Sequence, residues 1–133
     1  MIRSVKNSKR AYTALNTAWL LRGWRESIRS RGYSVSEQSA MSMDEERKLL
    51  RYAWKHFREA LGTEGFPMAG MDEPTYNYLM ASLSYQLDEL EDAGMFILRA
   101  LQSKELMAFI QPKAEMLRDE IRAKRRSMAT LRG

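Results

Sequence analysis

The 133-residue chain contains no cysteine. That excludes disulfide cross-links, thiol nucleophiles and thiolate-bound zinc, and it fits a reducing compartment. Long apolar runs are missing as well. No segment approaches the ~20 consecutive apolar residues that a membrane-spanning helix needs. The N-terminal MIRSVKNSKRAY is basic but has no apolar stretch, unlike a signal peptide, so the expected location is cytoplasmic. Sustained alternation of apolar and polar residues, the mark of a half-buried strand, is absent. So are glycine-rich phosphate loops, GxSxG turns and HExxH pairs. The single histidine, His56, lies between the flanking Tyr52 and Glu59 and is expected on a solvated flank, without convergent partners. No catalytic, cofactor-binding or metal-ligating residue is assigned, and the chain is read as not an enzyme.

Acid is scarce at the start of the chain. Residues 1–32 hold eight Lys/Arg and only Glu26; residues 33–112 hold seven basic and thirteen acidic groups; residues 113–133 hold seven basic and three acidic. The ends are basic and the middle is acidic, within a formal net charge of +5. Two readings follow. Either the basic ends lie near acidic groups and neutralise them, or they form a patch for nucleic acid or an acidic partner.

What is present is helical periodicity. Ala11, Ala14, Leu15, Ala18, Leu21 and Ile28 recur at spacings of three and four, with Tyr12, Trp19 and Trp24 widening the stripe, which predicts a helix from Lys9 to Ser30. Gly32 is placed to stop it. The serine-rich stretch that follows has no period and is read as a loop over 32–43. Ser42 and Glu45 have the spacing of a capping box for a second helix, with Leu49, Leu50, Ala53, Trp54, Phe57, Ala60 and Leu61 on one face. Asp72 and Pro74 suit the start of a third helix, whose apolar face is Tyr76, Leu79, Met80, Leu83 and Leu87. Leu90, Ala93, Ile97, Ala100 and Leu101 mark a fourth, and Leu117 and Ile121 a last one over about 111–128. Between Leu87 and Leu90 the apolar face shifts across the polar DELED, which predicts a corner rather than one helix of ~27 residues. The carboxylates of that corner lack the spaced ligands and glycine of a calcium loop.

Ala93, Ile97 and Ala100, with Leu101 following, resemble the second helix of a tetratricopeptide repeat, and Ala81 falls on that family's small residue in the first helix. Leu87-Asp88-Glu89-Leu90 stands at the corner, with Asp88 where the family has glycine. Ala53, Phe57, Ala60 and Leu61 repeat the second-helix pattern forty residues earlier. The stretch from Glu59 to Leu101 is also similar to the C-terminal helical part of a bacterial family, domain of unknown function 2225. Members of that family commonly begin with a zinc ribbon of paired cysteines. This chain has none, which implies either a fragment or a reduced relative. The expected architecture is all-α in one domain over 1–133: a first antiparallel hairpin (about 8–61), a second (73–103) and a C-terminal capping helix (111–128).

The repeat resemblance implies that the first helix of each pair lines a groove. By that resemblance Tyr78, Ser82, Tyr85 and Gln86 are groove candidates in the second hairpin, and Tyr12, Trp19 and Arg22 in the first. The expected function is a non-catalytic protein-interaction module that docks a protein or peptide partner. The alternative is a basic helical nucleic-acid-binding domain. Its cations, Arg118, Arg122, Lys124, Arg125 and Arg126, do not share one face and stand beside Asp119 and Glu120. The ten methionines suit core gap-filling or an adaptable surface.

Overall fold

The computed structural model describes residues 6–32 and 37–132, and side chains at 28, 37–41 and 132 lie outside that description. The described residues form five helices: α1 (Asn7–Ser30), α2 (Glu37–Thr63), α3 (Glu73–Gln86), α4 (Leu90–Gln102) and α5 (Gln111–Arg132). The protein is all-α. Contacts group it into two compact units, Met1–Thr63 and Glu64–Gly133. Among the described residues no helix is long and apolar enough to cross a membrane.

In the first unit, α1 and α2 form an antiparallel hairpin. Tyr12, near the start of α1, meets Phe57, near the end of α2, with ring centroids 5.2 Å apart. At the other end Arg25 Nη1 donates to Ser42 Oγ at 2.8 Å. The seam is built from small and large apolar residues in register: Ala11, Leu15 and Ala18 from α1, Leu50, Ala53, Phe57 and Ala60 from α2, all buried. Small residues let two helix backbones approach, and Phe57 and Leu15 fill the space between them.

α2 begins at Glu37, so the loop read over 32–43 is helical from residue 37 onward; residues 33–36 lie outside the described set. Ser42 is therefore inside the helix, buried, rather than capping it. The reason is a polar continuation of the seam. Ser42 and Glu46 occupy the same face as Leu50, Ala53 and Phe57, and across from them α1 presents Arg22 and Arg25. An inward face made of serine and glutamate carries no hydrophobic period. Other expectations for the two inward faces change as well. Leu61, Trp19 and Trp24 are exposed, and Leu49 and Trp54 are half-buried, Trp54 with Arg58 over its ring at 4.8 Å.

In the second unit, the break between Leu87 and Leu90 is present. Asp72 Oδ1 accepts from Thr75 N at 3.0 Å and caps the start of α3. At the other end, Asp88 N donates to Tyr85 O at 3.1 Å and Glu89 N to Ser84 O at 2.9 Å. These are the paired bonds of a Schellman motif, which needs a left-handed residue next to the helix end. Asp88 supplies it at φ 61°. Aspartate tolerates that region better than most side chains, so the corner closes without glycine. The α3 and α4 helices then pack on one another as a hairpin, with Tyr76 at the start of α3 edge-on to Phe96 at the middle of α4. Met80, Ala81, Leu83 and Leu87 pack with Ala93, Ile97 and Ala100, all buried. A two-residue turn at Ala69 and Gly70, both at positive φ, pairs Met68 with Met71 and buries both methionines. Leu106 and Ile110 lead into α5, which packs Ala114, Leu117 and Ile121 inward.

The corner makes a direct prediction. Asp88→Gly removes the left-handed penalty at the cost of an exposed ion pair with Lys124, and such pairs contribute little. The expected result is a gain of about 0.5–1 kcal/mol, read as slower amide exchange over residues 73–102. A loss of stability would mean that the Lys124 contact, not the backbone, sets the corner.

Candidate functional site

Each candidate residue is positioned by the helix face it occupies. On α1, Tyr12 and Arg22 belong to the contact with α2. Tyr12 lies edge-on to Phe57, and burial raises its hydroxyl above the ordinary tyrosine value. Arg22 Nε donates to Glu46 Oε1 at 2.8 Å. Trp19 is different: it is 47% exposed. It stands on the side of α1 turned away from α2, beside Asn16, Leu20, Gly23 and Trp24. Leu20 and Trp24 are 74% and 43% exposed. Residues 19 and 23, and 20 and 24, are one turn apart, so the four form a continuous apolar patch with glycine as its low point. Nothing lies within 4 Å of where a Cβ on Gly23 would be.

On α3, Tyr78, Ser82, Tyr85 and Gln86 are all half-buried. Gln86 Nε2 donates to both Ser82 O and Ser82 Oγ at 3.2 Å, so these two are tied to one another. α5 faces the tyrosines. Lys124 Nζ lies 4.9 Å from the centre of the Tyr85 ring. The Tyr78 hydroxyl is raised above the ordinary value by burial first and by the Glu120 carboxylate second. The seven candidates thus divide into a pair held in the α1–α2 seam, a row on α3 beside α5, and one open aromatic, Trp19. Trp24 and Leu20 complete the open patch. Periodicity alone assigned Trp24 to the inward stripe, although the i, i+4 pairing of Leu20 with Trp24 was visible in the sequence.

His56 is not on a solvated flank. Its side chain is 12% exposed, its ring is 4.1 Å from that of Tyr52, and Nδ1 is 2.9 Å from Asn7 Oδ1. It ties α2 to the first residue of α1, with Glu59 Oε2 3.5 Å away.

The basic C-terminal helix meets acid locally. Lys124 pairs with Asp88, and the Arg125 guanidinium lies over Gly94 on α4, 3.0 Å from where a Cβ would stand. Arg22 and Arg25 likewise meet Glu46. Basic chain ends neutralised by acidic groups of the middle are therefore seen within each unit. Of the described methionines, Met68, Met71 and Met80 fill core, while Met43, Met95, Met107, Met116 and Met128 are exposed.

Comparison with curated proteins and with solved structures found no match. A family model does match, over residues 1–128, nearly the whole chain. With its cysteine-free, all-helical build, the chain belongs to the bacterial family described as uncharacterized protein conserved in bacteria, DUF2225.

Proposed function

We propose that this protein is a non-catalytic helical interaction module that docks a partner segment. The observation that supports this reading is the aromatic patch on α1. Two of the three tryptophans, Trp19 and Trp24, are about half open to solvent beside the exposed Leu20. Exposed tryptophan next to leucine is unfavourable in water and is the side-chain type that dominates binding hot spots. The half-buried row Tyr78, Ser82, Tyr85 and Gln86 extends the reading to the second hairpin, as the repeat resemblance implies. The nucleic-acid alternative loses support from the α5 cations, since Lys124 pairs with Asp88 and Arg125 lies against α4.

The test is quantitative co-purification from nuclease-treated native lysate, followed by binding of the recovered partner to purified variants. Trp19→Ala/Trp24→Ala should weaken that binding about tenfold or more, since hot-spot aromatics each contribute about 2 kcal/mol or more. The helix content should be unchanged, because both rings are open. Arg125→Glu/Arg126→Glu should have little effect at physiological salt. The reverse order, with steep salt dependence and loss of the partner on nuclease treatment, would establish the nucleic-acid reading instead.

A further inference from the structure

The α1–α2 hairpin carries another surface, which shares no lining residue with the aromatic patch. A groove of about 490 Å³ runs between the two helices, with Lys9, Arg10, Thr13 and Thr17 on the α1 wall and Lys48 and Tyr52 on the α2 wall. Its floor is Ala14 and Leu49. The threonines do not make it polar. Thr13 Oγ1 donates to Lys9 O at 3.0 Å and Thr17 Oγ1 to Thr13 O at 2.9 Å, so both hydroxyls are satisfied within α1. Their methyl groups are left to the groove.

The cations around it form no ion pair among the described residues. Arg22 and Arg25, elsewhere on α1, meet a carboxylate on α2. Lys9, Arg10 and Lys48 have no ion-pair partner among the described residues, and only Glu45 opposes them at the rim. An apolar floor bounded by unpaired cations on both walls selects a ligand that is apolar on one face and negatively charged on its flanks. From Lys9 to Thr17 the α1 wall is about 12 Å long at ~1.5 Å per residue, some two helical turns. The groove is open along its length rather than enclosed. That suits a helix laid into it better than a small molecule, which a pocket normally surrounds.

We propose that this groove docks an acidic amphipathic helix. Leucine-type side chains at i and i+3 or i+4 enter between Thr13, Thr17 and Leu49, and flanking carboxylates meet Lys9, Arg10 and Lys48. Its lining shares no residue with the Trp19–Trp24 patch, although Thr17 adjoins Leu20 on α1.

The probe is a labelled synthetic peptide of about 14 residues, with leucines at helical spacing and glutamates elsewhere. Controls are a scrambled peptide of the same composition and a version with lysine in place of glutamate. The full chain is titrated by fluorescence anisotropy. The striped acidic peptide should bind at least about tenfold more tightly than the scrambled one. Lys9→Glu/Lys48→Glu, both on the open rim, should reduce that binding about tenfold and favour the lysine peptide. Trp19→Ala/Trp24→Ala should leave it unchanged, which separates this surface from the α1 patch. Equal binding of the scrambled peptide would show charge attraction alone and overturn the proposal. So would no binding, or binding indifferent to Lys9 and Lys48. Displacement of the peptide by dodecanoate or by a single-stranded oligonucleotide, with either binding more tightly than the peptide, would reassign the groove to that ligand.

Discussion

Glu46→Ala should destabilise the α1–α2 hairpin by about 3 kcal/mol or more. The Glu46 side chain is 8% exposed and accepts from Arg22 Nε and from Arg25, whose own side chain is 13% exposed. Removing the carboxylate leaves the largely buried Arg25 guanidinium with Ser42 Oγ as its neutral partner among the described residues. An uncompensated charge in such a place costs more than the intact pair contributes. Arg22→Ala should cost about 1 kcal/mol or less, because that side chain is 39% exposed and Glu46 keeps Arg25 as its charged partner. Replacing Arg22, Arg25 and Glu46 together by leucine or methionine should be close to neutral, since no charge is then left alone. All three tryptophans, Trp19, Trp24 and Trp54, lie in the first unit, so urea unfolding followed by tryptophan emission reads this hairpin directly. A midpoint for Glu46→Ala equal to that of the parent protein would mean the site is hydrated and the network is a surface feature.

Tyr76→Ala is the corresponding test for the second unit, with an expected loss of about 3–5 kcal/mol. Tyr76 is 1% exposed and is the ring on which three segments meet. Phe66, before α3, lies edge-on to it at 5.5 Å, and Phe96, in α4, at 6.5 Å. Edge-to-face contacts of this kind add to the area that each ring buries. Alanine removes the ring from between Phe66 and Phe96 and leaves a cavity that rigid helices cannot close. Amide exchange over residues 73–102 should accelerate strongly, and Met68, buried in the adjoining turn, should become accessible to oxidation. Unchanged exchange would show that α3 and α4 are held by Met80, Leu83 and Ile97 alone.

Helical periodicity alone places the helices wherever the buried face is apolar. Ala11, Leu15 and Ala18, then Ala53, Phe57 and Ala60, then Ala93, Ile97 and Ala100 recur at helical spacing and are all buried. The corner at Leu87–Leu90 was legible for the same reason: an apolar face cannot shift without a break in the helix. Periodicity failed where burial is polar. Ser42 and Glu46 occupy the inward face of α2, but their burial depends on Arg22 and Arg25 arriving from another helix, a pairing that no local pattern contains. His56 follows the same rule, covered because Asn7 and Tyr52 meet it. The candidate site divided along the same line. An exposed aromatic and a buried one have the same identity in a sequence. Only the packing of α1 on α2 decided that Tyr12 joins the seam while Trp19 and Trp24 stand open. The groove between Lys9 and Lys48 likewise exists only once the two helices are side by side, because its walls come from residues some forty positions apart. Local periodicity encodes which residues must leave water; which neighbours replace that water is settled by tertiary contacts.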